Sequence, residues 1–481
     1  MKPRIDISRY VRSSNHWLIP MPHTIFLILI LTCSAGMLSG QAPEIENRST
    51  RTLALSDVIS LALNRNLTLE RSKVQIELRE NDLQFEEADS QANLTGSLGG
   101  NLRYFGNGNE PVWEDGTLTE SLNGSLNSSL GLYTGGGREA SINQARSTLE
   151  ASIRDLDRSR HIILFNSIFR YMEAILRLKE IEIQTEELAS RQENLDRIIV
   201  SFENQIRIEA DVLRQQSLVA DSERRLAQAK QTHQRSLYFL KELLLLPPET
   251  EILLDLENSG WGNSDYLPDP DVQSSWGRIL ARPDLLAQEF RLQAADEGIR
   301  IAKSGGKASL TASASLRTNY SGQDNRTGIA SQFLSRQPEL SGGLTLNIPI
   351  FDRRRTSTNV ARATLQLRQE EIDMVGLKQT ARTDLLQAVL DFNTAKAQLA
   401  FSSDQLRSAD AALEAEQARY DAGAATLLDV NSLLSNRLDA AVAVEESWFD
   451  LFTNRLDITL QDGTLETFLI NKLKTQVPEL Q

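Results

Sequence analysis

The chain has 481 residues and a formal net charge of −14; 40% of its residues are hydrophobic, 24% are charged and 13 are proline. This composition excludes both a polytopic helical membrane protein and a mostly disordered chain. Nucleic acid is also an unfavourable partner, because phosphate binding needs clustered Lys and Arg, and the basic residues here are scattered among carboxylates.

The first residues have the pattern of a targeting segment. Basic residues precede an apolar run at 25–31, which small residues follow, and the run is too short to span a bilayer. We predict a signal peptide and leader over residues 1–42, with a short amphipathic arm as the alternative. Cys33, the only cysteine, is a weak candidate for a lipid anchor, because Thr32 stands before it where a smaller residue is expected.

The rest of the chain repeats itself. One apolar heptad line recurs 218 positions later, as Ile181, Leu188, Leu195 and Phe202 and then as Leu399, Leu406, Leu413 and Tyr420. We therefore predict a first copy at 43–250 and a second at 276–462. A Pro- and Asp-rich connecting segment at 247–275 and a C-terminal tail at 463–481 complete the predicted organisation.

After an opening helix, each copy contains two segments in which apolar and small polar residues alternate. The predicted strands are 93–105 and 118–133 in the first copy, and 308–320 and 339–351 in the second. Each is at least as long as the roughly 9–11 residues that a tilted strand needs to cross a bilayer. Two soluble hairpins are the alternative, which four such strands behind a signal peptide disfavour.

Long helical regions follow the strands, at 138–246 and 353–460, each broken at a turn near 203–210 or 421–425. Their first helices, of roughly 65 residues, would each be about 100 Å long. The heptad lines are typical of paired helices, although Gln184 and Arg191 interrupt the complementary apolar line that Ile198 fits. The breaks predict helix-turn-helix tips.

Four strands cannot close a membrane barrel alone, because both edges would leave unpaired backbone groups in hydrocarbon. Dimers would provide an eight-stranded barrel that its own side chains fill, whereas a larger barrel holds water. A conduit therefore favours three or more copies.

The chain resembles the TolC family of outer-membrane efflux proteins from Leu55 to about Gly463. The likeness is carried by 55–59 with Ala62 and Leu67, by the strand-to-helix joints 132–136 and 348–352, and by 419–423 leading to 428–430. Their order, in duplicate and at one spacing, is specific to the family. The implied fold is an α+β membrane protein in which four transmembrane strands per protomer contribute to a shared 12-stranded trimeric barrel above long periplasmic coiled-coil helices.

The resemblance also implies partners and a gate. The chain would assemble as a homotrimer in contact with outer-membrane lipid. Its partners would be a periplasmic adaptor and an inner-membrane pump of the RND or ABC type. The family's gate pattern, aspartates and hydrogen bonds at the periplasmic tips, falls on Asp429, Asp211 and Tyr420. Ser432 and Ala425 depart from that pattern, where a second aspartate and an arginine can occur.

Several of these residues have plainer interpretations. Asp429 also fits a capping box with Thr426. Asp211 has no such explanation, since Ile208 occupies the cap position before it, and its plainer interpretation is a solvated helix face. The arginines at 353–355 could contact acidic lipid or simply be solvated. His161 and His233 have no ligand partner at i+4, and we expect no metal, no cofactor, no catalytic residue and no enzyme activity.

The predicted function is a passive exit duct in the cell outer membrane, with its helical part in the periplasm, that serves a tripartite efflux or type I secretion system. Polypeptide secretion instead of small-molecule efflux is one alternative. A coiled-coil envelope scaffold is a more distant one, which would leave the alternating strands unexplained.

Overall fold

The computed structural model describes residues 51–106, 116–256, 259–262, 268–322, 328–336 and 338–472, all within one structural unit. The predicted signal peptide and Cys33 lie outside the described residues. In chain order the elements are β1 (Arg51–Leu53), α1 (Leu55–Arg65), α2 (Leu67–Ala88), β2 (Asn93–Gly106), β3 (Gly116–Tyr133), α3 (Gly137–Glu203), α4 (Glu209–Leu243), β4 (Ile252–Leu254), α5 (Val272–Arg278), α6 (Pro283–Ser304), β5 (Ser309–Ser321), α7 (Ile329–Ser331), β6 (Glu339–Asn347), α8 (Arg355–Asp421), α9 (Leu427–Gln461) and α10 (Leu465–Lys472).

The alternating segments form one antiparallel sheet with the order β2–β3–β5–β6. Residues of equal parity face each other in all three pairings, as in Gly96 opposite Leu126, Leu126 opposite Leu316, and Leu316 opposite Leu340, except at the end of β3, where the register shifts between Gly131 and Tyr133. Because successive side chains point to opposite faces, this register gathers the leucines on one face. The leucines of β2 and β6 are mostly exposed, so this apolar face is uncovered in the single chain.

The other face of the sheet carries small hydroxyl and amide side chains that bond to one another. Ser97 and Ser125 lie 2.8 Å apart through their Oγ atoms, and Asn127 donates to Ser125 Oγ at 2.9 Å. Ser315 donates to Asn127 Oδ1 at 2.8 Å, which extends the row from β2 through β3 to β5. The sheet thus has one exposed apolar face and one exposed polar face.

The long helices pack in an order that parallels the strands. Helix α3 packs between α2 and α6, and α6 packs on α8, so α2 and α8 are the outer members of this layer. Helix α4 folds back on α3, and α9 folds back on α8 and also contacts α3. Both the sheet and the helical layer therefore begin in the first copy of the repeat and end in the second.

The main core lies at mid-height of the helices, where α1, α3, α4, α9 and α10 meet. Leu164, Ile168 and Ile175 of α3 are fully buried there. Tyr171 is fully buried too, and its hydroxyl donates to the carbonyl of Asp255 at 3.0 Å, beside the parallel pair β1–β4. This core fixes α3 against α9, and with it the first copy against the second.

Three boundaries differ from the sequence prediction. The strand predicted over 339–351 ends at Asn347, because Pro349 has no N–H for the ladder and restricts the residue before it. Helix α8 begins at Arg355 instead of 353, since Arg353 and Arg354 have positive φ angles of 53° and 67°. The segment predicted as a tail contains α10, whose Leu465 and Leu469 are buried in the main core.

The remaining bounds lie close to the predicted ones. Strands β2, β3 and β5 span Asn93–Gly106, Gly116–Tyr133 and Ser309–Ser321. The breaks in the helical regions lie between Glu203 and Glu209 and between Asp421 and Leu427. The predicted connecting segment, 247–275, holds β4 and the start of α5, and lies partly outside the described residues.

Candidate gate at the helical tips

Two helical hairpins, α3–α4 and α8–α9, end in turns that lie next to each other. The first turn contains Gln205 at a φ of 59°, and the second contains Gly423 at a φ of 74°. Arg207, from the first turn, places its Cζ 5.0 Å from the ring centroid of Tyr420 in the last turn of α8. This cation–π contact joins the two tips within one chain.

Asp429 forms the capping box of α9. The backbone N–H of Thr426 donates to Asp429 Oδ2 at 3.1 Å, and the backbone N–H of Asp429 donates to Thr426 Oγ1 at 3.3 Å. The Thr426 hydroxyl also donates to Asp429 Oδ2 at 2.6 Å, and this bond, with the backbone bond, lowers the pKa of Asp429. The plainer interpretation of this residue is therefore present in the structure.

Asp211 occupies the corresponding position in the first hairpin, the third residue of α4, but its surroundings differ. The N-cap residue of α4 is Ile208, whose side chain offers no hydrogen-bonding group. Among the described residues, the Asp211 carboxylate forms no ion pair and no hydrogen bond, and it is half-buried. Its charge is consequently free of local partners among the residues that the structure describes.

The three predicted gate residues are not joined to one another directly. Within the described part of the chain, no hydrogen bond connects Asp211 with Tyr420, and the contact between the hairpins at this level comes from Arg207. Near Ala425, the guanidinium of Arg419 donates to the carbonyl of Ala424 at 3.3 Å and so stays within its own hairpin. Ser432 is exposed on α9.

A buried polar cluster lies above the tips, between α3, α4 and α9. Asn431 donates to Gln215 Oε1 at 3.1 Å, and Gln215 donates to the carbonyl of Arg191 at 3.2 Å. The Arg191 guanidinium donates to Ser435 Oγ at 3.0 Å and pairs with the carboxylate of Glu187 one turn earlier in α3. These five residues connect the first hairpin to α9 of the second.

The charges in this cluster are almost fully removed from water. The side chains of Arg191 and Glu187 are 4% and 2% exposed. Burial raises the pKa of Glu187, although the neighbouring Arg191 guanidinium opposes that shift. A buried ion pair of this kind contributes little net stability, but the loss of one partner is costly because it leaves an uncompensated charge.

Only an indirect sign of this cluster is visible in the sequence. Arg191 stood out as an interruption of the apolar heptad line, and Glu187 lies four residues before it on the same helix face. Gln215, Asn431 and Ser435 have no such sign, because a buried amide or hydroxyl cannot be told from an exposed one without knowing which helices meet.

None of the helices in the described residues combines the length and the apolar character that a bilayer-spanning helix needs. Within the same ranges, no three acidic, Cys or His side chains are grouped as they would be to hold a metal ion.

The family model of the outer membrane efflux protein matches residues 58–244 and 279–451. The chain belongs to the outer membrane efflux protein family, as its resemblance to TolC-like proteins predicted. The two matched segments fall within the two predicted copies of the repeat.

Individual relatives agree with this assignment. The chain is 25% identical over 397 residues to the pyoverdine export outer membrane protein OpmQ of Pseudomonas aeruginosa, which covers 81% of this chain and 78% of that protein. It is 22% identical over 445 residues to the cation efflux system protein CusC of Escherichia coli O157:H7, covering 87% and 90%. The crystal structure of the outer membrane protein VceC from Vibrio cholerae superimposes with a TM-score of 0.72 at 18% identity, covering 85% of this chain and 96% of that one. The fold is that of VceC, and the family is one of outer membrane efflux proteins.

Proposed function

We propose that three copies of this chain form an outer-membrane exit duct that passively conducts cargo from the periplasm, or from an inner-membrane pump, to the exterior. The observation that carries the proposal is the four-stranded sheet with one apolar and one polar exposed face and two unpaired edges, β2 and β6. An apolar outer face suits lipid, and a polar inner face suits water.

The unpaired edges require neighbouring copies. Backbone groups along β2 and β6 would each cost several kcal/mol in hydrocarbon, so β6 of one copy must pair with β2 of the next. Three copies supply twelve strands from the four of each chain, enough for a barrel that holds water instead of being filled by side chains.

The helical layer supports the same ring closure. Its outer members, α2 and α8, belong to the same edges as β2 and β6, and both carry uncovered apolar side chains. These are Val74, Leu78 and Phe85 on α2, and Leu365, Ile372, Val375 and Leu390 on α8. Pairing α8 of one copy with α2 of the next would bury both sets of apolar side chains. This pairing runs around the ring in the same direction as the pairing of β6 with β2 of the next copy.

The proposed partners are a periplasmic adaptor and an inner-membrane pump, with the adaptor meeting the helical tips. Support comes from the family and from relatives named for pyoverdine export and cation efflux. Those names favour small cargo, so export of polypeptides by a type I system is not favoured.

We place the gate at the tips, with Asp429, Asp211 and Tyr420 as its residues and Arg207 as the partner of Tyr420. Asp211 supports this placement because its half-buried carboxylate has no partner within the described chain and is available to neighbouring copies. Opening would separate the α8–α9 hairpin from the α3–α4 hairpin.

The oligomer is tested with charges placed on its proposed edges. Phe85→Glu on α2 and Val375→Glu on α8 should each abolish the heat-modifiable trimer in outer-membrane fractions and the conductance in planar bilayers. Gln366→Glu, which puts the same charge on another exposed face of α8, is the matched control and should leave both unchanged. A wild-type protein that is a water-soluble monomer would refute the duct.

Cargo is tested with a deletion strain scored for both drug sensitivity and loss of secreted proteins. Sensitivity with normal secretion is the expected result, and the reverse would favour polypeptide export.

A further inference from the structure

The two copies of the repeat differ sharply at the joint between their second strand and their long helix. The first copy has glycine at positions 135, 136 and 137, and the second has arginine at the equivalent positions 353, 354 and 355, each 218 residues later. The backbone conformation is the same: φ is 69° and 85° at Gly135 and Gly136, and 53° and 67° at Arg353 and Arg354.

Left-handed backbone is disfavoured for residues that carry a Cβ atom. The first copy shows that this joint can be built from glycine, so the arginines are not needed for its geometry. Two arginines held in the conformation that suits glycine indicate that their side chains have a use outside the local fold.

The arginine side chains have no partners in the described chain. All three are exposed, and among the described residues none forms an ion pair or a side-chain hydrogen bond. The nearest acid in sequence, Asp352, accepts from the backbone N–H groups of Arg354 at 3.0 Å and Thr356 at 2.8 Å, which engages both its oxygens in starting α8. In the first copy, by contrast, Arg138 pairs with Asp89 at 3.5 Å.

Two further cations lie at the same level. The segment that joins α6 to β5 contains Gly306 and Lys307 and lies between the two strand-to-helix joints. A Cβ atom added at Gly306 would lie 3.0 Å from Thr356 Cγ2, and one added at Gly135 would lie 2.9 Å from Lys307 Cβ, so this segment contacts both joints. Lys303 and Lys307 are exposed there and have no ion pair among the described residues. The joints therefore present a basic rim, defined by Lys303, Lys307, Arg353, Arg354 and Arg355.

Exposed apolar side chains border this rim on the sheet side. Ile350 and Phe351, immediately before the arginines, are 95% and 83% exposed. They follow β6, whose Leu344 and Leu346 are exposed on the apolar face of the sheet, and lie between that strand and the arginines in the chain. An apolar surface that ends in an aromatic ring and a row of cations is the arrangement found where protein passes from hydrocarbon to headgroups.

We propose that the basic rim is a docking surface for anionic phospholipid headgroups of the leaflet nearest the helices, with Arg353, Arg354 and Arg355 binding the lipid phosphates. The proposal rests on the proposed function, since it needs the sheet to span a bilayer. Guanidinium groups suit it because their planar donors match phosphate oxygens, and the rim supplies the complementary charge.

The test is lipid binding to the purified oligomer in non-ionic detergent, measured by native mass spectrometry with phosphatidylglycerol and phosphatidylcholine. The wild type should bind phosphatidylglycerol at least about tenfold more tightly than phosphatidylcholine. R353Q/R354Q/R355Q keeps the backbone constraint and removes the charge, and should lose most of that preference. R353K/R354K/R355K keeps the charge and should retain it.

R353G/R354G/R355G copies the joint of the first repeat and removes the backbone strain, so it should fold and also lose the preference, which excludes misfolding as the cause. The proposal is overturned by a wild type without preference, by a glutamine variant that retains it, or by equal competition from inorganic phosphate, which would indicate a free-anion site. A trimeric, conducting protein without lipid preference would refute this inference alone, whereas a soluble monomer would refute the duct itself.

Discussion

Arg207 stacks over the ring of Tyr420, with 5.0 Å between its guanidinium carbon and the ring centroid, and so links the first copy of the repeat to the second at their tips. If opening separates the two hairpins, this contact must break. Exposed cation–π contacts are worth about 0.5–1 kcal/mol, which corresponds to a roughly two- to fivefold shift between closed and open populations.

Arg207→Ala and Tyr420→Leu should therefore each raise the open fraction of single channels in planar bilayers by about two- to fivefold. Tyr420→Phe keeps the aromatic ring and should resemble the wild type. If the phenylalanine variant opens as readily as the leucine variant, the contact with Arg207 is not what holds the tips.

This contact illustrates what a sequence can and cannot predict here. Tyr420 was found because it ends a heptad line and matches a family motif, both of which are local patterns. Arg207 lies in a turn with no periodicity, and its relation to Tyr420 depends on how two hairpins, far apart in the chain, pack together.

The same division holds for the whole fold. Alternation at period two predicted β2, β3 and β5 closely, because each strand has two exposed faces of opposite character. The same alternation predicted that β6 extends to 351, whereas the observed strand ends at Asn347. Apolar residues continue through Ile350 and Phe351, but Pro349 cannot take part in the hydrogen-bonded ladder. The apolar pattern continues there as an uncovered segment, which only the observed exposure distinguishes from a strand.

Asp429 has two proposed roles, in the capping box and in the gate, and two variants separate them. Thr426→Val removes the hydroxyl that both donates to and accepts from Asp429. Asp429→Asn leaves that hydroxyl in place and removes the charge of the carboxylate with which it bonds. Both should speed hydrogen exchange in the first turn of α9, since an N-cap contributes about 1 kcal/mol. Asp429→Asn, and likewise Asp429→Ala, should raise the resting conductance more than Thr426→Val does. Equal conductance in all of them would leave the cap as the only role.

His161 makes the stability of the protein depend on pH. Burial lowers its pKa, and although Glu466 favours the charged form, Arg158 and Arg160 oppose it. Because the unfolded chain binds this proton more readily, the stability associated with neutral His161 is fully present above about pH 6.5 and is lost as the pH falls towards the lower folded pKa. The melting temperature in detergent should therefore fall between pH 7 and pH 5.

His161→Gln should flatten that decline, because glutamine binds no proton in either state. Comparing the two proteins at each pH isolates this residue from the buried carboxylates, such as Asp457, whose pKa burial raises and whose effect has the opposite sign. Parallel pH curves for the two proteins would contradict the assignment.

The hydrogen bond from Asn431 to Gln215 is the point at which α9 attaches to the first hairpin inside the buried polar cluster. Asn431→Leu leaves the Gln215 carbonyl without its donor, and should destabilise the protein by about 1–3 kcal/mol. Gln215→Leu/Asn431→Leu removes both amides and should cost less than the sum of the single variants. Additive losses in chemical unfolding would mean that the two side chains act independently.

Glu187 gives the sharpest test of that cluster, because its partner is a buried charge. Glu187→Gln leaves the Arg191 guanidinium uncompensated at 4% exposure, and should cost about 3–5 kcal/mol in chemical unfolding. The matched control is Glu182→Gln on the same helix, which breaks the more exposed pair with Lys179 and should cost no more than about 1 kcal/mol. Glu187→Leu/Arg191→Met replaces both charges with apolar groups and should restore most of the stability, because the cost comes from the unpaired charge and not from the missing contact. If the double variant is as unstable as Glu187→Gln, the cluster is held by its hydrogen bonds to Ser435 and Gln215, and the ion pair is incidental to how the two hairpins are joined.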